Sequence, residues 1–218
     1  MKINITEDRN FMLAVTEKDE YYRKNLYGKP LDKAAANEAF KKYKKEILDV
    51  FFAENGFSKW KSASYIRLRA SGLTEMVELQ KFRFTGDTFC VNYGVCPLYV
   101  PDLKYCCCCV GCSIGDRLGC QIRPGGGAWV YRTDETAKIS FENVRDMVRL
   151  FLLPAFDEFC VEENYLKQLM ADKGKKGVGY RNDLWVKALE VEDRRAVILE
   201  NIERLKLPRR IIKGEFSG

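Results

Sequence analysis

Ser64-Tyr65-Ile66-Arg67-Leu68-Arg69-Ala70, then Ser71-Gly72, then Leu73-Thr74-Glu75-Met76-Val77-Glu78-Leu79-Gln80 is the stretch on which the fold turns. In its first part Ile66, Leu68 and Ala70 alternate with Tyr65, Arg67 and Arg69, the period of two expected of a strand buried on one side. Ser71-Gly72 punctuates the pattern as a turn. The second run places Leu73, Glu75, Val77 and Leu79 on one side. Beyond Leu79 the apolar positions move to Phe82 and Phe84, and one extra residue near Gln80-Lys81, a β-bulge, would restore the alternation.

Working outward, Thr85-Gly86-Asp87-Thr88 reads as the next turn, and Phe89, Val91, Tyr93 and Val95 then alternate with Cys90, Asn92, Gly94 and Cys96. Residues 57–61 read as a short strand in front. Turns this short force antiparallel neighbours. The stretch is therefore a meander with one apolar face and one cationic face, the latter carrying Tyr65, Arg67, Arg69, Lys81 and Arg83 and expected to look outward.

The flanking segments read as helices. Across residues 37–55, Phe40, Tyr43, Ile47, Val50 and Phe51 recur at spacings of three and four, with lysines on the other side, and Gly56 suits the position that ends a helix. Residues 10–15 read as an added strand, 19–26 as a short helix and 128–132 as a returning strand. Ser140 is expected to cap a helix carrying Phe141, Val144, Val148 and Phe151, which Pro154 ends or kinks. A further helix is expected over 155–171. After the basic link Lys173-Gly174-Lys175-Lys176-Gly177 comes a helical arm over 183–205, broken near Val191 and reopened by Glu192-Asp193. The fold class expected is α+β: an antiparallel β-meander covered on one face by helices, with a C-terminal helical extension. Residues 1–171 would form the domain and 172–218 the basic link and arm.

The order of several residues resembles the domain of unknown function 4304 family. They are Glu54-Asn55-Gly56-Phe57, Tyr65, Val77-Glu78-Leu79-Gln80-Lys81, Phe89-Cys90-Val91-Asn92-Tyr93-Gly94-Val95, Gly115-Asp116-Arg117-Leu118-Gly119 and Leu153-Pro154. The resemblance spans roughly residues 40–169 and implies an α+β domain of bacterial type with no established biochemical activity. It brings no catalytic residues with it. The cysteine-rich run and the charged tail after Met170 depart from the family pattern.

Composition narrows the chemistry. Of 218 residues, 46% are apolar and 31% charged, the mixture of a globular chain. Nothing in it reaches the roughly 20 apolar residues of a membrane helix, and the acidic N-terminus is unlike a signal peptide, so a cytoplasmic protein with no membrane partner is expected. Histidine is absent, which removes Ser-His-Asp triads, Cys-His pairs and His-ligated metals together. Nine cysteines, an odd number, suit reduced thiols. The net charge of +6 favours anionic partners.

Five constellations are candidates for chemistry. Cys106, Cys109, Cys112 and Cys120 have a spacing that admits a tetrathiolate zinc site and with it a metal- or thiol-dependent enzyme, but a second clean pair is missing. A loop of reduced thiols with no cofactor is the preferred reading. Arg67 and Arg69, with Tyr65 interleaved and Lys81 and Arg83 beside them, form a basic face that a nucleic acid could use, although a solvated face explains the same charges. Gln80, Asn92 and Arg117 are the polar residues expected to meet if a binding cleft exists, since Arg117 can hold a carboxylate or phosphate. The structural alternative pairs Arg117 with a carboxylate and uses Gln80 at the bulge. Arg123-Pro124-Gly125-Gly126-Gly127 lacks the Gly-Lys-Ser/Thr ending of a P-loop. Glu75, Glu78 and Asp87 are available carboxylates, with no pair standing out as catalytic. The reading that follows is a non-catalytic cytosolic interaction protein for a protein or another anionic partner.

Overall fold

The computed structural model describes residues 31–101, 103, 112, 114–119, 127–172 and 188–212. The segments expected over 10–15 and 19–26, the basic link, Cys106 to Cys109, Cys120 and residues 123–126 lie outside them.

Alternation does produce strands. β1 (Ser58–Lys61), β2 (Ser64–Leu68), β3 (Leu73–Lys81), β4 (Thr88–Pro97) and β5 (Ile114–Arg117) are neighbours in that order, and β6 (Ala128–Val130) pairs with β4 beyond the end of β5. Every pairing is antiparallel. With the helices around it the sheet makes an α+β fold, as expected.

Two details of the strand reading are corrected. No bulge interrupts β3, whose register with β4 is continuous from Leu73 opposite Pro97 to Lys81 opposite Phe89. Phe82 and Phe84 belong to the hairpin tip, where Phe84 is fully exposed, so the parity has nothing to repair. The register shift lies instead between Lys59 and Lys61 in β1.

Helix α1 is one rod over 33–54, built of Lys33–Tyr43, a π-helical stretch Lys44–Asp49 and Val50–Glu54. Asp32 caps its start, accepting from the amides of Ala34 and Ala35 at 3.0 and 3.1 Å. Its end is a Schellman motif: the amide of Phe57 donates to the Phe52 carbonyl and that of Gly56 to Ala53. The left-handed Gly56, at φ +78°, makes that closure possible without a Cβ clash.

Helix α2 is a second rod over 134–159, in which Asp134–Met147 passes through a π-helical stretch Val148–Leu152 into Leu153–Phe159. Thr133, not Ser140, is its cap, in a reciprocal box with Thr136. Ser140 is buried inside the helix and donates to the Val130 carbonyl at 2.6 Å, fastening α2 to β6. Pro154 does not end the rod. It falls in the first turn after the π-helical stretch, where a missing amide proton costs little. The expected helix over 155–171 is in fact two pieces, because the chain breaks after Phe159 and resumes as α3 (Glu162–Asp172).

Both rods pack on the face of the sheet that carries Tyr65, Val77, Tyr93 and Phe89. Phe40 meets Phe89, Tyr131 and Phe141 edge-on with ring centroids 5.3, 4.9 and 5.1 Å away, while Phe52 stacks on Tyr65 at 4.2 Å. Phe156 of α2 covers Tyr93 and Phe57. Phe52 is wholly buried, and truncating such a ring to Ala costs about 3–5 kcal/mol.

Apart from Arg83, exposed at the hairpin tip, the cationic face therefore does not look outward. Register places Arg67 opposite Glu75 and Tyr65 opposite Val77, so Arg67 and Arg69 lie on the helix-covered face. Ile66, Leu68, Met76 and Cys96 occupy the other face and are buried too. Lys81 is also turned in, donating to Asn37 at 2.6 Å with its ammonium 3.9 Å from the centre of the Phe40 ring.

The C-terminal segment docks on the domain. It comprises a short 3-10 turn (Ala188–Glu190), helix α4 (Arg194–Arg204) and a second 3-10 turn (Arg209–Ile212) that lies against β2. Asp193 caps α4. Asn201, 1% exposed, donates from its amide to the carbonyls of Leu98 and Val100 at 2.7 and 2.8 Å, closing α4 over the exit of β4. Arg194 holds Glu162 of α3 through two hydrogen bonds of 3.1 Å.

Candidate functional site

Gln80, Asn92 and Arg117 come together. Asn92 sits opposite Glu78 on β3 and opposite Arg117 on β5, and Ser64 of β2 faces Glu78 in turn. A row of polar side chains therefore crosses four strands on the face away from α1 and α2. At its centre the Asn92 amide donates to Oε1 of Gln80 at 3.0 Å. The Nε of Arg117 approaches Oδ1 of Asn92 at 3.5 Å, a long contact at the limit of hydrogen bonding. Asn92 is buried, Gln80 exposed and Arg117 between the two. The Cys90 thiol points at the same pair, 3.8 Å from Gln80 Oε1 and 3.7 Å from Asn92 Oδ1.

Local geometry fixes Arg117. Its amide bonds to the side chain of Asp116 at 2.7 Å, and the amide of Leu118 donates to the Val91 carbonyl, extending the ladder past β5. The guanidinium carbon lies 5.4 Å from the centre of the Phe82 ring. Among the described residues Arg117 pairs with no carboxylate, contrary to the structural alternative, and its terminal N–H groups have no partner. Glu78, half-buried on the far side of Asn92, also lacks a partner among the described residues. The row thus offers several hydrogen-bond donors around one cation, with a carboxylate two strands away from it.

Arg67 and Arg69 do not join this row. They converge on Glu75, which is 0% exposed. The Nε of Arg67 donates to Glu75 Oε2, and that of Arg69 donates to Oε1 at 2.5 Å. Arg67 also donates to the Asn55 carbonyl at 2.8 Å and covers the Phe57 ring, while Arg69 reaches Asp157 at 2.5 Å. Cys160 is buried beside this hub, and burial, then the Glu75 charge, pushes its thiol well above its ordinary range. This hub ties β2 and β3 to the ends of both rods. One sign of it was visible in the sequence: Glu75 shares parity with Leu73, Val77 and Leu79.

A second buried cluster was not foreseen. Asp49 in the π-helical part of α1 accepts from Tyr65 at 2.6 Å, Lys44 at 2.9 Å and Lys59 at 2.8 Å. Burial pulls Lys44 below the usual lysine range despite that carboxylate. Of the other carboxylates considered, Asp87 is taken up structurally by Arg132 at 3.1 Å. Of the four cysteines with metal-ligand spacing, Cys112 is described and half-buried, and the other three are outside the described residues.

A family model described as "Domain of unknown function (DUF4304)" matches residues 48–158, from the end of α1 through most of α2. No curated protein and no solved structure matches the chain. No helix among the described residues is long and apolar enough to cross a membrane.

Proposed function

We propose that this chain, which belongs to the DUF4304 family, is a non-catalytic cytosolic binding protein. In this reading the Gln80–Asn92–Arg117 row holds one anionic group, a carboxylate or phosphate, of a protein partner. One observation carries the reading: the guanidinium of Arg117 lies against the Phe82 ring and the Asn92 carbonyl with its terminal donors unused. A planar fork in that state recognises a carboxylate or phosphate through two parallel hydrogen bonds. Gln80 adds a neutral donor at the exposed end. Glu78 opposes a second negative charge nearby, which limits the ligand to a single anionic group. Arg67 and Arg69 serve the scaffold in this scheme, since Glu75 already occupies their donors. The lack of histidine supports a binding role over hydrolysis or acyl transfer.

The side-chain amide resonances of Gln80 and Asn92 give the test. Titration with acetate, and separately with inorganic phosphate, should shift both resonances saturably in the native chain, and Arg117→Gln should abolish the shift. Unmoved resonances in the native chain, or equal shifts in the variant, would refute the proposal.

A further inference from the structure

An open groove of about 500 Å³ lies between the two rods, well away from the Asn92 row. The α1 side supplies Glu46, Ile47, Val50, Phe51, Glu54 and Asn55, and the α2 side supplies Arg145 and Arg149. Its volume is in the range of ligand pockets. Both rods take a π-helical stretch beside it, Lys44–Asp49 in one and Val148–Leu152 in the other, and such widened turns recur at functional sites.

The charges in the groove are segregated. Glu46 and Glu54 are exposed on one wall and have no partner among the described residues. Arg145 and Arg149 share Asp146 of their own helix, at 2.9 and 2.6 Å, which leaves further N–H donors on each. Among the described residues no ion pair spans the groove, so opposite charges face each other across open space. Between them are the half-exposed Val50 and the partly buried Ile47.

We infer that this groove binds a short free peptide with an apolar middle residue. Its terminal carboxylate would lie on Arg145 and Arg149 and its terminal ammonium on one of the two glutamates, Glu46 or Glu54, which stand eight helical positions, about 12 Å, apart along the axis. The apolar side chain would cover Val50 and Ile47, which otherwise meet water. This inference is independent of the anion reading for Arg117.

Calorimetric titration of the full chain with Ala-Leu-Ala tests it. The free tripeptide should bind saturably. Amidating its C-terminus should weaken binding about tenfold or more, as should Arg145→Gln with Arg149→Gln, and the two changes should not compound because they remove the same contact. Acetylating the N-terminus and changing Glu46 and Glu54 to Gln should behave in the same paired way. Arg117→Gln should leave peptide affinity unchanged. No binding, equal binding of the doubly blocked peptide, or fully compounding losses would overturn the inference. If the double arginine variant does not fold, the more exposed Arg149→Gln alone carries that arm.

Discussion

The hydroxyl of Tyr65 donates a 2.6 Å hydrogen bond to the carboxylate of Asp49, joining the second strand to the π-helical part of the first rod. Tyr65 is 1% exposed, and Lys44 and Lys59 bond the same carboxylate. Tyr65→Phe removes one bond to a charged group and leaves a partly satisfied acceptor, so it should cost about 2 kcal/mol. Asp49→Ala strands both the phenol and the buried Lys44 ammonium, and should cost about 3–5 kcal/mol. Urea unfolding of the two variants checks the order. Equal losses would mean that the carboxylate does nothing beyond receiving Tyr65.

Glu75 is the other buried acid on which separate elements converge. Glu75→Gln keeps the shape but leaves two guanidinium groups with no charged partner on that side, and should destabilise by about 3–5 kcal/mol. Replacing Glu75, Arg67 and Arg69 together with Leu, Met and Met should recover most of that loss, because a buried ionic group replaced by apolar side chains of like volume is often neutral. Chemical denaturation measures both. A triple variant no more stable than Glu75→Gln would show that the arginines act through their contacts with Asn55, Phe57 and Asp157.

How much was legible follows from the same residues. The strands were readable because alternation in β2, β3 and β4 is long and bounded by turn residues. The helix stripe of Phe40, Tyr43 and Phe51 and the stop at Gly56 were readable for the matching reason. The orientation of the sheet was not. Tyr65, Arg67 and Arg69 are long side chains with apolar stems and polar tips, so parity alone does not say whether they snorkel to water or bond a buried acid. Glu75, on the parity of Leu73 and Val77, held the answer. Ser140 and Thr133 are both good caps in sequence, and the difference lies in Val130, whose carbonyl takes the Ser140 hydroxyl. Gln80, Asn92 and Arg117 were singled out in the sequence only as the residues of a cleft if one exists, and the structure brings their side chains together. The groove between the rods had no local signature, because its walls, Glu46 to Asn55 and Arg145 to Arg149, are far apart in the chain.

Gly119 follows Arg117 by two residues and takes φ +88°. A Cβ there would lie 2.9 Å from the Cα of Gly127 and 3.3 Å from its nitrogen, and backbone atoms cannot rotate aside as a side-chain tip can. Gly119→Ala should therefore add a clash to the left-handed strain and cost about 2–3 kcal/mol. It should also disturb the Asn92 and Gln80 amide resonances, since it displaces the turn that positions Arg117. Thermal unfolding and the same amide spectra check both effects, and a variant as stable as the native chain would mean that the Gly127 segment yields.

Alkaline stability should depend on Cys160. Burial, then Glu75, raises its thiol pKa far above the ordinary value of 9.0. Between that value and the raised one, the native state keeps a proton that the unfolded state has released. The native state then binds more protons, so stability must fall as pH rises, by at most about 1.4 kcal/mol per pH unit for this group. The contribution is fully present below pH 9.0 and is lost above it. Tyr65 and Tyr99 are raised too, the latter to about 12, but their effect begins only above the ordinary 10.0. Unfolding free energy measured from pH 8 upward should fall more steeply above pH 9 in the native chain than in Cys160→Ala, which is less stable throughout and keeps the buried thiols of Cys90 and Cys96. Parallel curves for the two proteins would place the alkaline loss elsewhere and remove Cys160 from the Glu75 hub.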